Sequence, residues 1–193
     1  MAPENANWLH ILGFGDPKQG DWAKVRAAQL AVVQRFAVVR LVISVLASCM
    51  VLVTLRPSMA GWMLYSWYGA SLLVAACVAY PNLKDRQWSA ALASRSDFHK
   101  ETLRSIVSAL PWAAAAILFV PKGSPEQLIG IWTIVTAVMA GTTLSLSALP
   151  FATSLFISIC GAGLAVGMAM VKMPLIGANA VGYATALILA CFA

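Results

Sequence analysis

Hydroxyl and small side chains recur at helical spacing in two long apolar segments, and they are the residues best placed to form a site. In residues 128–148 the steps alternate between three and four, which puts the side chains on one face of a helix. That face consists of Thr133, Thr136, Ala140, Thr143 and Ser147. A second face, in residues 151–171, consists of Ser154, Ser158, Gly161 and Ala165, beside the pair Gly163 and Gly167. Such faces let membrane helices approach closely, so helix packing is the simpler interpretation and a cavity for a small ligand or lipid is the alternative.

A proline also lies inside an apolar segment. Pro111 is about two turns into residues 105–120, with Trp112 beside it. A proline at that depth predicts a kink, because its ring removes a backbone donor. A simple kink and a functional hinge are the two interpretations.

Acidic residues and histidines, by contrast, are expected outside the apolar segments. These residues are His10 and His99 together with Glu4, Asp16, Asp21, Asp85, Asp97, Glu101 and Glu126. Charges within lipid are costly and persist for function, so their absence argues against a proton-coupled transporter, an intramembrane protease and a haem site. The four cysteines have no CxxC spacing, which argues against a metal site. We therefore expect no catalytic residue, no metal and no cofactor in these 193 residues.

The elements that must position these residues are membrane helices. The chain is 61% hydrophobic and only 10% charged, whereas a soluble domain is about a quarter charged. Its apolar segments are long enough to cross a hydrocarbon core of about 30 Å. We predict an all-α integral membrane fold of six transmembrane helices in three hairpins. The predicted spans are 36–55, 61–80, 105–120, 128–148, 151–171 and 175–193.

Basic residues predict the orientation of the spans, because cytoplasmic loops carry an excess of them. Of the thirteen lysines and arginines, all but Arg56, Lys122 and Lys172 lie before or near the start of the first span or between the second and third. The N-terminus and the C-terminus are therefore expected in the cytoplasm. The same bias accounts for the net charge of +6 without a nucleic-acid partner. Arg40, one turn inside the first span, is expected to extend back to the membrane surface on its aliphatic stem.

Residues 1–35 are expected to form a cytoplasmic segment with an amphipathic juxtamembrane helix. Asp21 resembles an N-cap, and apolar residues such as Val25, Val32 and Phe36 follow at helical spacing. Anchoring on the membrane is the simpler role, and a signalling input or a docking element is the alternative.

The loop between the second and third spans is expected to be a cytoplasmic elbow. A helix is expected to begin there at Ser96 or Asp97 and to lead into the third span. Glu101 and Arg104 are three residues apart and are expected to pair on one face of it.

The last residues stay apolar to Ala193, whereas membrane proteins ordinarily carry polar or basic residues past the last span. We therefore expect these residues to be the N-terminal part of a longer chain. In that interpretation the six-helix domain, residues 36–193, continues into a cytoplasmic output domain.

Several stretches together resemble a known type of membrane region. They are residues 21–30 of the basic entry helix, the polar elbow, the short outer loop at 121–128 and the stretch 139–150. The layout is similar to the membrane sensor regions that precede GGDEF or GGDEF–EAL domains in proteobacterial cyclic-di-GMP enzymes, and to those before histidine kinases and class III nucleotide cyclases. The resemblance implies a dimeric sensor in the bacterial inner membrane, whose last helix leads to an enzyme such as a diguanylate cyclase. The GGDEF and EAL motifs are not in these residues, so no catalytic residue is assigned.

Two other functions stay open. The chain could be a non-catalytic accessory subunit that packs its small-residue faces against a larger respiratory or photosynthetic complex. It could also be a small transporter, provided that the substrate is uncharged. In each case the lipid bilayer is the expected surroundings, and a homodimer or a larger membrane complex is the expected assembly.

Overall fold

The computed structural model describes residues 21–84 and 95–192, and within these ranges every regular element is helical. The helices are α1 (Asp21–Arg35), α2 (Ala37–Leu55), α3 (Gly61–Lys84), α4 (Arg95–Phe119), α5 (Pro125–Leu146), α6 (Pro150–Met170) and α7 (Pro174–Phe192). A 3-10 turn, Val120–Lys122, follows α4. The predicted N-terminal segment before Asp21, the middle of the elbow and Ala193 lie outside the described residues.

Six of these helices, α2 to α7, are long and apolar enough to cross a membrane. The all-helical class and the number of apolar helices are thereby confirmed, and they indicate a multi-pass membrane protein. One predicted boundary was wrong, because the second helix does not end at 80 but continues through Pro81 to Lys84. Pro81 cannot donate the backbone hydrogen bond to residue 77 that this turn would otherwise have, so the helix continues past it at a local cost. The helix expected to begin at Ser96 or Asp97 and to lead into the third span is present as α4, which begins at Arg95.

The core of the bundle is formed by α4 and α6, which make the most extensive contact between any two described elements. Gly163 and Gly167 of α6 permit this contact. A Cβ atom on Gly163 would lie 2.6 Å from the Cα atom of Ala113, and one on Gly167 would meet the carbonyl oxygen of Ala116. The backbones of the two helices therefore touch, as small residues allow in membranes.

The remaining helices pack around this centre. α6 also packs extensively on α7, and α2 packs on α3 and α5. The predicted arrangement as three hairpins stays unconfirmed, since α4 contacts α6 far more than α5, which follows it in sequence.

α1 lies across one end of the bundle, which we call the α1 end. Its buried side chains include Ala27, Leu30 and Val33, in a cluster with Phe98 of α4 and Leu149 before α6. The apolar face predicted from the sequence is only partly buried here, since Val33 lies in this cluster whereas Val25 and Val32 are exposed. α1 therefore has one apolar face on the protein and a second that is uncovered, and its contact with lipid stays a prediction.

Side-chain and backbone hydrogen bonds fix the opposite end of the bundle. Ser124 and Gln127 form a capping box at the start of α5, and the Gln127 amide donates to the carbonyl oxygen of Thr54 at 3.0 Å. Between α6 and α7 the backbone of Lys172 has a φ of 58°, and the N–H of Met173 donates to the carbonyl of Met168 at 3.1 Å. A left-handed residue with this hydrogen bond is the usual way to end a helix, although glycine is the residue that fits it without strain.

Candidate functional site

Four polar side chains meet near the α1 end of the bundle, and we call them the Glu101 cluster: Arg40, Asn82, Glu101 and Arg104. Arg40 lies in the first turn of α2, and Asn82 lies in the last turn of α3, which runs in the opposite direction. Glu101 and Arg104 lie on α4 between its start and its apolar part. The continuation of α3 through Pro81 brings the Asn82 amide into the cluster.

Both oxygens of the Glu101 carboxylate accept hydrogen bonds. Oε1 accepts from Arg40 Nη1 at 3.1 Å and from Asn82 Nδ2 at 3.4 Å. Oε2 accepts from Arg104 Nη1 at 3.0 Å, and Arg104 Nη1 also donates to Asn82 Oδ1 at 3.3 Å. Arg40 Nη2 donates to the carbonyl oxygen of Val33 at 3.4 Å, which adds α1 to the network. A single carboxylate thus joins α2, α3 and α4, with α1 attached through Arg40.

The cluster is largely withdrawn from solvent. The exposed fraction of the side chain is 3% for Glu101, 14% for Arg40 and 29% for Arg104. Removing ions from water costs several kcal/mol each, and only paired charges with satisfied hydrogen bonds offset that cost. Two guanidinium groups face one carboxylate, so the cluster keeps one excess positive charge. Because its oxygens are occupied by donors, Glu101 is held as an ion-pair partner and not as a general base.

This geometry bears on two predictions. Arg40 extends toward the α1 end as expected, and its guanidinium group ends on the buried Glu101 carboxylate, so its contact with the membrane surface stays a prediction. Glu101 was expected to lie outside the third span; it lies near the start of α4, and its position relative to lipid also stays a prediction. The predicted pair of Glu101 and Arg104 is present. A carboxylate and its arginine partners are therefore largely buried together at the α1 end of the bundle.

A cavity of about 140 Å³ lies beside the cluster, under α1. Its lining residues come from α1, α3 and α4 and are Leu30, Val33, Gln34, Asn82, Asp97, Lys100, Glu101 and Arg104. A single water molecule needs about 10–15 Å³ of such volume, so this α1-side cavity has room for several. Its walls offer two amide, two basic and two acidic groups.

Two smaller cavities lie deeper, on the other side of Arg40. One of about 40 Å³ is lined by Arg40, Ser44, Ser108 and Thr142 among others, and one of about 10 Å³ by Ser44, Ser71, Ser108 and Pro111. Trp112 lines both. We call them the serine cavities.

The small-residue faces predicted from the sequence take other positions. The hydroxyl groups of Thr133, Thr136, Thr143, Ser147 and Ser154 donate to carbonyl oxygens of their own helices. Thr133, Ser147 and Ser158 are exposed on the outside of the bundle. The serine cavities are lined on α5 by Thr142, next to the predicted Thr143.

Pro111 lies within the uninterrupted α4. Its carbonyl oxygen accepts a hydrogen bond of 2.8 Å from the indole nitrogen of Trp67 on α3. The Trp67 ring makes edge contacts with Trp112 and Phe119, at centroid distances of 6.0 and 5.6 Å. This aromatic group closes the serine cavities on the side away from α1, and a hinge at Pro111 stays a prediction.

The sequence contains polar residues at helical spacing that indicate this site, although the site is not visible when each helix is considered alone. Glu101, Ser105, Ser108 and Trp112 follow at steps of four, three and four on α4. Arg40 and Ser44 are one turn apart on α2, and Ser71 lies on the α3 face that also carries Asn82 three turns later. A comparison of the positions of polar residues on neighbouring helices would have identified these residues as one group.

Comparison with known proteins gives no relative from which to assign this site. No protein-family model, no curated protein and no solved structure matches the chain. The function must therefore be inferred from the geometry of the Glu101 cluster and its cavities.

Proposed function

We propose that this chain is the membrane sensor or regulatory domain of a bacterial signalling protein, which controls a cytoplasmic output domain such as a diguanylate cyclase through α7. The observation that supports this proposal is the Glu101 carboxylate, which bonds to side chains from three helices. Proteins switch where a local change of charge or ligand alters an element with two packing arrangements. A shared, buried carboxylate next to a cavity is a suitable place for such a change.

Close backbone contacts connect this position to α7. Gly163 of α6 touches Ala113, three turns along α4 from Glu101. On α6, a Cβ atom on Gly161 would lie 2.9 Å from the Cβ atom of Ala184 on α7. Tightly packed helices pass on displacements because their interfaces are not continuously deformable. A movement of α4 is therefore expected to reach α7 through α6.

The proposal includes an orientation and an assembly. We place the α1 end in the cytoplasm and the chain in the inner membrane, because the basic residues are concentrated at that end. α1 then lies at the inner membrane surface with Val25 and Val32 toward lipid. We further propose a homodimer, with the largely exposed α7 as the helix that carries the signal.

The test is to tag the native gene at its 3′ end and to measure both the mass of the product and cyclic-di-GMP synthesis by isolated membranes. We expect a polypeptide well above 20.4 kDa. Glu101→Gln is expected to change synthesis at least about fivefold, the lower range of allosteric coupling. Glu126→Gln, the same substitution at an exposed position on the opposite end of the bundle, is the matched control and is expected to leave synthesis unchanged.

Two results would overturn the proposal. A product whose mass, after subtraction of the tag, is 20.4 kDa would show that no output domain is attached. Equal synthesis by the wild type and Glu101→Gln would show that the cluster does not control the output. If the small product also co-purified in fixed proportion with a larger membrane complex, the accessory-subunit function would replace it.

A further inference from the structure

We propose that water molecules occupy a one-sided polar seam that runs from the α1-side cavity through the serine cavities to the middle of the bundle and stops at Trp112. The seam lies between α2, α3 and α4. It is a binding site for small neutral hydrogen-bonding molecules, of which water is the proposed occupant. The inference does not depend on a signalling role.

The first observation is a buried hydroxyl group without a protein partner. Ser71 is 5% exposed, lines the smaller serine cavity, and its Oγ atom has no hydrogen-bond partner among the described residues. The Oγ atom of Ser105, on the α4 face between Glu101 and Ser108, is in the same situation at 2% exposure. In membrane helices serine hydroxyls ordinarily bond to a carbonyl of the preceding turn, as Ser108 does here. Buried polar groups left without a protein partner are those that internal water satisfies.

The second observation is that the space and its walls suit water. The serine cavities measure about 40 and about 10 Å³, which is room for about three or four water molecules. Arg40, Ser44 and Thr142 add polar groups to the walls beside Ser71 and Ser108. Most of the other lining residues are apolar, so the water molecules are expected beside these polar groups.

The third observation is the position of the ion pair. Arg40 lines the larger serine cavity, and its partner Glu101 lines the α1-side cavity. Their bond of 3.1 Å therefore joins one lining residue of each space. In the proposed seam this pair is the gate on the α1 side, which opens when the Arg40 side chain rotates.

The seam ends before the far side of the bundle. Beyond Trp112 the core is apolar and closed, with Val51, Leu55, Leu64 and Phe119 at most 1% exposed. Trp67 is fixed there by its bond to the Pro111 carbonyl. The seam is therefore a half-channel, and small polar molecules reach the interior from the α1 end.

The experiment is radiolytic footprinting of the purified protein in lipid nanodiscs. A short X-ray pulse converts bound water into hydroxyl radicals, which oxidise the nearest side chains, and mass spectrometry locates the products. Phe156 lines the larger serine cavity and Phe119 does not, although both are buried. We expect Phe156 to be oxidised several-fold faster than Phe119, and Trp112 to be oxidised as well. Equal and negligible rates at both phenylalanines would overturn the proposal.

Substitutions test whether the oxidation of Phe156 comes from water held in the seam. Ser71→Ala combined with Ser108→Ala removes polar walls without adding bulk, and oxidation of Phe156 is expected to fall to the rate of Phe119. Ser147→Ala, at an exposed position away from the seam, is the control and should change nothing. Glu101→Gln weakens the gate and is expected to raise oxidation of Trp112. If the double serine variant left the pattern unchanged, water would not be held by the seam, whatever the result for cyclic-di-GMP synthesis.

Discussion

Replacing Glu101 with glutamine tests how much the buried charge contributes to the stability of the bundle. The substitution keeps the size of the side chain and one acceptor oxygen, but it removes the negative charge shared by two guanidinium groups. Arg40, at 14% exposure, then loses its charged partner and has only neutral acceptors, such as the Val33 carbonyl. Arg104, at 29% exposure, reaches solvent more easily.

The expected loss follows from this difference in burial. Breaking a buried pair by removing one partner costs about 3–5 kcal/mol, because the other charge is left unpaired. An exposed pair contributes about 0–1 kcal/mol, and the Arg104 pair lies nearer to this case. We expect Glu101→Gln to lower the free energy of unfolding by about 3 kcal/mol, since glutamine keeps part of the hydrogen bonding. Replacing both Arg40 and Glu101 with methionine is expected to recover most of the loss, because no buried charge then remains unpaired.

The assay is unfolding of the purified protein by SDS in mixed micelles, with the free energy extrapolated linearly to zero denaturant. Lys100→Gln is the control, because its bond to Asp97 joins a lysine that is 61% exposed. Its effect should stay within about 1 kcal/mol. Equal losses for Glu101→Gln and Lys100→Gln would refute the argument from burial, and so would a double methionine variant no more stable than Glu101→Gln.

Three further substitutions test the packing and the turns by the same unfolding measurement. Gly163→Ala is expected to lower the free energy of unfolding by about 1–3 kcal/mol, because its Cβ atom meets the α4 backbone. Gly182→Ala is the control and should cost nothing, since no atom lies within 4 Å of its Cβ position. Similar values for both substitutions would contradict the close contact. Gln127→Ala should cost about 1–2 kcal/mol by leaving the Thr54 carbonyl without its donor, and an unchanged stability would show that the bond is replaced. Lys172→Gly should stabilise the protein by up to about 1 kcal/mol, since glycine adopts a φ of 58° without strain; a loss would indicate that the lysine side chain matters more than its backbone.

The six apolar helices could be predicted because length and hydropathy alone decide whether a segment can cross a membrane. The boundary at 80 was wrong because a local signal was applied without its surroundings. Pro81 suggested a helix end, although the helix continues to Lys84. The extra turn is held by the bonds of Asn82 to Glu101 and Arg104, which the local sequence does not show.

The candidate site could be predicted only in part. The pairing of Glu101 with Arg104 depends on spacing within one helix, and the sequence showed it. The bond of Glu101 to Arg40 joins residues 61 positions apart, so it depends on how α2 and α4 pack. Ser71 and Ser108 were overlooked for the same reason, since only the packing of α3 and α4 brings them to one cavity. The hydroxyl faces on α5 and α6 were more regular, yet their groups bond mainly within their own helices.

The distance in sequence between Arg40 and Glu101 also has a consequence for biosynthesis. Ribosomes add about 5–20 residues per second, so Glu101 is made about 3–12 s after Arg40, given the 61 positions between them. During this delay α2 must enter the membrane with an arginine that has no acidic partner. We therefore expect the Arg40 side chain of the nascent helix to stay at the membrane surface. The arrival of α4 then supplies the Glu101 carboxylate with which it pairs in the finished protein.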